Sequence, residues 1–206
     1  MNRVTCLLII VAAMACHSAR TDDQEQTVIT APAENMSAPV EDEDSLQEAR
    51  QDIAWEHIEV FSFTRAVANK KQPLYTNIRQ FETTWGRPDS VITPDYEDVC
   101  AAQFDEDFLY IFKDGSRFER CKDSIACDQF HFTNNNSLTS GNITLTGNTT
   151  WADARKLFPM AVKQAENEGR TDLITLRDST DPDSDSAVQL FFKDGKLVSV
   201  VCFIPC

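Results

Sequence analysis

The residues of this chain that could do chemistry are mainly its cysteines. The 206-residue sequence contains seven cysteines but only three histidines. Thiols can form disulfides, bind zinc or act as nucleophiles. No Cys-x-x-Cys pair is present and histidine is scarce, so zinc is disfavoured and disulfides in an oxidising compartment are the prediction. Apart from Cys6 and Cys16 near the N-terminus, the candidate disulfide residues are Cys100, Cys121, Cys127, Cys202 and Cys206.

The connectivity of these five cysteines stays open at the level of sequence. Their spacing favours the local pairs Cys121–Cys127 and Cys202–Cys206, with Cys100 left over. An alternative joins Cys100 to Cys121. Because five is an odd number, at least one thiol must remain free or pair between chains.

An acidic stretch offers a second candidate site. Asp181, Asp183 and Asp185 follow the Asp-x-Asp-x-Asp rhythm of a calcium loop, whose first, third and fifth positions supply oxygen ligands. The rest of that motif is missing, because Ser186 replaces the turn glycine and Phe192 replaces the bidentate glutamate. A solvated acidic loop is therefore favoured, and a calcium or small-ligand site in loop 178–186 is the alternative.

No other arrangement predicts catalysis. The carboxylates at 97–98 and 105–107 lie in turn-like segments, where such groups are usually hydrated. A catalytic thiol would need His57 or His131, and both fall in strand-like runs typical of structural histidines. The sequence lacks a nucleophile elbow, a phosphate-binding loop, a dinucleotide fingerprint and a His-Glu-x-x-His motif. We therefore expect a protein that is not an enzyme and needs no cofactor.

The N-terminus indicates export. Residues 1–15 combine a short basic start, an apolar run too short to span a bilayer and a small-x-small end, which predicts a signal peptide. Ala13-Met14-Ala15-Cys16 resembles the lipobox of bacterial lipoproteins. That resemblance implies cleavage before Cys16, lipid attachment to its sulfur and a place in the cell envelope on a membrane. An ordinary signal peptide, which would give a secreted protein, is the alternative.

Residues 16–48 are predicted to form an acidic, disordered tether. They hold nine acidic residues against one arginine, Arg20, and almost no large apolar residues. Such a segment cannot bury enough surface to offset its ordering entropy. Residues 49–206 then have the length of one globular domain. The chain carries a net charge of −14 and no basic stripe, which argues against nucleic acid as a partner.

Two Asp-Gly turns dominate the predicted secondary structure. Asp114-Gly115 and Asp194-Gly195 each separate two apolar, alternating runs. Such runs around Asp-Gly predict β-hairpins with type I′ turns, here over 107–121 and 187–204.

A capped helix is predicted before each hairpin. The first begins at Asn77 and ends at Gly86, and the second begins after Thr150 and is stopped by Pro159. A further helix over 45–56 and a strand over 57–68 complete the folded part. We therefore expect an α+β two-layer domain made of two pseudo-repeated units of a helix and an antiparallel hairpin, at about 77–132 and 142–206.

The order of these elements resembles the tandem helix–strand modules of the β-lactamase-inhibitor protein and the small lipoproteins of the outer-membrane barrel-assembly machinery. Gly86-Arg87-Pro88-Asp89 stands where that family has Gly-x-Pro after its first helix. The resemblance implies a protein-binding or envelope-assembly role without catalysis. The functional prediction is thus a membrane-anchored envelope lipoprotein that binds another, unknown protein.

Overall fold

The two Asp-Gly hairpins form as predicted and build much of a large β-sheet. The structure is a computed structural model and describes residues 52–133, 135–181 and 183–206. Asp114 and Gly115 have φ values of 50° and 80°, and Asp194 and Gly195 have 52° and 73°. Positive φ at both central residues is the requirement of a type I′ turn.

Twelve strands occur in the described residues. They are β1 (Val67–Ala68), β2 (Gln72–Pro73), β3 (Tyr75–Asn77), β4 (Ser90–Ile92), β5 (Leu109–Lys113), β6 (Ser116–Cys121), β7 (Ser124–His131), β8 (Ser137–Ser140), β9 (Ile143–Thr146), β10 (Leu173–Arg177), β11 (Ala187–Lys193) and β12 (Lys196–Phe203). The helices are a 3-10 turn at Trp55–His57, α1 (Ile78–Thr84), α2 (Trp151–Leu157) and α3 (Pro159–Asn167).

The strands form two antiparallel sheets. The large sheet has eight strands in the order β10-β11-β12-β7-β6-β5-β4, with β3 paired to the first half of β7. The small sheet has four strands in the order β2-β1-β8-β9. One end of the large sheet is covered, because Val60 bridges Arg177 of β10 and the Phe61 amide donates to the Arg177 carbonyl at 2.9 Å. The other end is β4.

The helix N-termini are capped as the sequence predicts. The Asn77 side chain accepts a hydrogen bond from the Gln80 amide, and Thr150 and Asp153 form a reciprocal capping box. Pro159 ends α2 but does not end the helical segment, because it becomes the first residue of α3. Proline suits that position, where its missing N–H would have no partner in the helix.

One hydrophobic core joins both sheets and the helices. Phe118 of β6 packs on Phe81 of α1 and on Trp85, with ring centroids 5.1 Å apart in both pairs. Leu138 and Leu145 bring the small sheet into the same core. The face of the large sheet that carries Phe118 is therefore the covered one, and residues that alternate with Phe118 lie on the opposite face.

The predicted fold class is wrong. The described residues are mostly β-sheet, in sheets of four and eight antiparallel strands with three short α-helices, and do not form an α+β layer of two repeated units. Pairing between distant segments accounts for the difference. Val67 and Ala68 pair with Thr139 and Leu138, and this contact creates a second sheet that no local pattern signals.

Two predicted elements at the start of the domain also need correction. The predicted helix over 45–56 lies mostly outside the described residues, and its last part is only the 3-10 turn at Trp55–His57. The predicted strand over 57–68 is reduced to Val67–Ala68 and the bridge of Val60. In the part of the chain that the structure describes, no helix is long and apolar enough to cross a membrane.

Candidate functional site

The disulfide connects residues that the sequence did not pair. Cys100 is bonded to Cys206, with Cα atoms 5.5 Å apart and 106 positions of separation. Neither local pair, Cys121–Cys127 or Cys202–Cys206, is formed, and the alternative Cys100–Cys121 is not formed either. The bond attaches the irregular segment after β4 to the C-terminus. Cys16, the predicted lipidation residue, lies outside the described residues.

Cys121, Cys127 and Cys202 are free, buried thiols. The Cys127 thiol donates to the Arg117 carbonyl at 3.5 Å, and burial raises its pKa well above the ordinary value. Burial also raises the pKa of Cys202. Because the thiolate is the nucleophilic form, Cys127 and Cys202 are suited to packing rather than to thiol chemistry.

A cavity of about 360 Å³ lies beside the disulfide; we call it the acidic cavity. Its volume falls within the range of small-molecule sites. Asp98, Phe203 and Cys206 are exposed at its edge. The residues that line it are Asp98, Val99, Cys100, Ala101, Ala102, Gln103, Tyr110, Arg117, Glu119, Asp128, Val201, Cys202, Phe203, Ile204 and Cys206.

Arg117 and Asp128 form an ion pair in this cavity. Asp128 Oδ2 accepts a hydrogen bond from Arg117 Nε at 2.6 Å, and the same oxygen lies 2.6 Å from Arg117 Nη2. The guanidinium also lies 4.7 Å from the ring centroid of Tyr110. A β-bulge positions the carboxylate: Arg117 pairs with Gln129 and Phe118 with Cys127, so Asp128 is the extra residue of β7. Bulges redirect side chains in this way.

Glu119 is the second carboxylate of the cavity and is only 2% exposed. Its Oε2 accepts a hydrogen bond from the Gln103 amide at 2.7 Å. The pKa of Glu119 is raised to about 7. Burial is the largest cause and the charge of Asp128 adds to it, while the Gln103 amide and Arg117 oppose the increase. Glu119 therefore changes its protonation near neutral pH, within a cavity that already contains an ion pair.

Sequence reasoning missed these residues, although part of the signal was present. Arg117 and Glu119 alternate with Phe118 and therefore share the face of β6 that is opposite to Phe118. That alternation is visible in the sequence. Asp128 reaches the same place only because of the bulge, which depends on the register between β6 and β7.

The acidic loop does not assemble a metal site. Asp181, Asp183 and Asp185 are described, and the carboxylate of Asp181 accepts a hydrogen bond from the Asp183 amide at 3.0 Å. Residues 52–133, 135–181 and 183–206 contain no group of three histidine, cysteine or acidic residues arranged to hold a metal ion. At the start of the loop, buried Asp178 accepts a hydrogen bond from the Phe63 amide at 2.6 Å, which is a structural role.

The remaining candidate residues have structural surroundings. The ring of His131 packs against the turn at Gly115, where a Cβ atom would come within 2.8 Å of His131 Cδ2. In the segment 105–107, Glu106 pairs with Lys122 at 2.5 Å in an exposed position. Neither arrangement supplies a base beside a thiol.

A group of exposed apolar side chains occupies the uncovered end of the large sheet. Val91 and Ile92 of β4 are each 51% exposed, and Tyr96 is 42% exposed. The Tyr96 hydroxyl donates to the Phe108 carbonyl at 2.7 Å, and the two rings pack edge to face at 5.9 Å. We call Val91, Ile92 and Tyr96 the edge patch. These two contacts hold the Tyr96 side chain in place.

Comparison with known proteins adds no identification to this description. No protein-family model, no curated protein and no solved structure matches the chain significantly.

Proposed function

We propose that this chain is a membrane-anchored, non-enzymatic lipoprotein of the bacterial cell envelope that binds another protein through the edge patch. The observation that carries the proposal is the exposure of Val91, Ile92 and Tyr96 together. Exposed large apolar side chains cost free energy in water. Because Val91 and Ile92 are neighbours in a strand, they expose apolar side chains on both faces of this end of the sheet, which favours an interaction site there. The lipobox-like Ala13–Cys16 supports the anchor and the envelope address.

The manner of binding follows from the shape of β4. This strand has only three residues, and Pro88 and Pro94 flank it. Short edge strands beside proline resist the addition of a further strand. We therefore propose contact through the side chains of the edge patch rather than through strand pairing.

The charges around the patch indicate the chemistry of the partner. Asp95, Glu97 and Asp98 are exposed next to Tyr96. A complementary protein surface has an apolar centre and a rim of lysine or arginine. We expect rim charges to affect the association rate more than the final affinity.

The proposal is tested by capturing partners from detergent-solubilised membranes. A Val91→Lys/Ile92→Lys variant is compared with wild type and with a Leu157→Lys/Met160→Lys control, which changes exposed apolar side chains elsewhere (37% and 44% exposed). We expect a stoichiometric partner with wild type and with the control, and its loss with the edge-patch variant. Equal recovery by all three proteins, or no stoichiometric partner with wild type, contradicts the proposal.

A further inference from the structure

The acidic cavity contains a buried polar atom without a partner. Asp128 is 5% exposed, and the hydrogen bond and the ion-pair contact with Arg117 both involve its Oδ2. Its Oδ1 is fully buried and makes no hydrogen bond within the described part of the chain. Burial raises the pKa of the Asp128 carboxyl, and the backbone amides of Asp128 and Gln129 oppose this increase. Neither amide makes a hydrogen bond to Oδ1. An unpaired buried carboxylate oxygen destabilises the fold, and a positive charge in the adjoining cavity would offset part of that cost.

The charges that line the cavity favour a positively charged ligand. Asp98, Glu119 and Asp128 are acidic, and Arg117 is the single basic residue among the lining residues. Arg117 is already paired with Asp128 and stacked on Tyr110. With Glu119 ionised, the cavity therefore carries an excess of negative charge, and the charges of Glu119 and Asp128 repel each other.

The shape of the cavity favours an organic cation. Ala101, Ala102 and Val201 supply apolar walls, while Glu119 and Asp128 lie on the strands β6 and β7. Nothing in the described residues assembles three metal-ligating side chains there. An alkylammonium ion suits such a cavity, because its charged group can lie near the carboxylates while its alkyl chain contacts the apolar walls.

We propose that the acidic cavity binds a small primary alkylamine in its ammonium form, with an N–H group donating to the Glu119 carboxylate and with the negative charge of Asp128 beside it. This site is independent of the edge patch and of the proposed protein partner. Because the ammonium group requires ionised carboxylates, binding weakens as the pH falls through about 7, where Glu119 gains a proton. Arg117, Asp128 and Tyr110 face Glu119 from the sheet, and Gln103 faces it from the segment that the disulfide anchors.

The test is isothermal titration calorimetry of the purified full chain with 1,4-diaminobutane and n-butylammonium, at constant ionic strength and at pH 8.0. The neutral probe 1-butanol controls for apolar binding. We expect heat with the amines only, and an affinity at least about tenfold weaker at pH 5.5. An Asp128→Asn variant should lose at least about tenfold in affinity, which corresponds to 1.4 kcal/mol.

Two further variants keep the outcome interpretable. Asp128→Asn leaves Arg117 without its partner, so Glu119→Gln, which preserves that pair, provides a second test and should also bind at least about tenfold more weakly. Asp183→Asn, in the acidic loop, should bind like wild type. Absence of heat at millimolar amine, equal heat with 1-butanol, or unchanged affinity in Glu119→Gln overturns the proposal. Because Val91→Lys/Ile92→Lys should leave amine binding unchanged, failure of the two proposals can be distinguished.

Discussion

At the scale of single residues, this domain places polar side chains at buried positions of a sheet face and satisfies them unequally. Glu119 receives an amide hydrogen bond, Asp128 is bonded through only one oxygen, and Arg117 is both paired and stacked on a ring. Buried polar groups that lack partners destabilise a fold. Their presence together in one cavity supports the proposal that a ligand binds there and offsets part of this free-energy cost.

Glu119 should make the stability of the protein depend on pH. Its pKa is about 7 in the folded state and about 4.3 in an unfolded chain. Between these values the folded state keeps a proton that the unfolded state has released, so stability falls as the pH rises through this interval. At pH 8 the loss is on the order of 3 kcal/mol, because each pKa unit corresponds to about 1.4 kcal/mol.

Glu119→Gln tests this effect. The substitution removes the titration, so the variant should gain more stability over wild type at pH 8 than at pH 5 in chemical denaturation. The exposed Glu97→Gln serves as the control and should show no such difference. A gain for Glu119→Gln that is equal at both pH values would show that Glu119 does not titrate in this interval.

At the scale of elements, the two hairpins share a turn type but differ in their surroundings. A Cβ atom at Gly115 would meet the His131 ring at 2.8 Å, whereas a Cβ atom at Gly195 would meet nothing within 4 Å. Both glycines have positive φ, 80° and 73°. The backbone cost of alanine is therefore similar at the two turns, and only the first adds a steric contact.

Gly115→Ala should therefore destabilise the protein more than Gly195→Ala. We expect about 1 kcal/mol for Gly195→Ala from the backbone alone, and at least about 1 kcal/mol more for Gly115→Ala. Thermal and chemical denaturation measure both values. In a His131→Ala background the two substitutions should cost the same, and a difference that persists there would show that the ring is not its cause.

At the scale of the whole molecule, the Cys100–Cys206 bond joins segments that are 106 positions apart. Closing so long a loop reduces the entropy of the unfolded chain. The bond also borders the acidic cavity and attaches the segment that supplies the Gln103 amide to Glu119. Loss of the disulfide should therefore affect both stability and the cavity.

A Cys100→Ser/Cys206→Ser variant should lose about 2–4 kcal/mol of unfolding free energy. Wild type in reductant should behave like this variant, because both lack the same bond. The variant should not lose further stability in reductant, since its remaining cysteines in the described residues, Cys121, Cys127 and Cys202, are free thiols. An additional loss in reductant would indicate a disulfide other than Cys100–Cys206.

The proposed lipid anchor predicts that attachment of the protein to a membrane depends on Cys16. If a lipid is attached to this residue, Cys16→Ala should move the protein from the membrane fraction to the soluble fraction, because stable anchoring requires the acyl chains. Immunoblotting of fractionated cells measures the distribution. Retention of Cys16→Ala in the membrane fraction would contradict the anchor.

The sequence alone was sufficient for features that depend on neighbouring residues. The type I′ turns at Asp114-Gly115 and Asp194-Gly195 and the helix cap at Asn77 follow from the conformational preferences of a few adjacent residues. The start of α3 at Pro159 also depends only on neighbouring residues. The sequence does not show it, however, because a proline that begins a helix cannot be distinguished by sequence from a proline that follows one.

Only the tertiary structure decided the second sheet, the disulfide and the acidic cavity. Val67–Ala68 and Leu138–Thr139 pair across about half of the domain, and Cys100 meets Cys206 across a still longer separation. Asp128 joins Arg117 because a bulge shifts the register of two strands. Such contacts are selected by the packing of the whole core, where many distant pairings compete, and no short stretch of sequence records which of them has the lowest free energy.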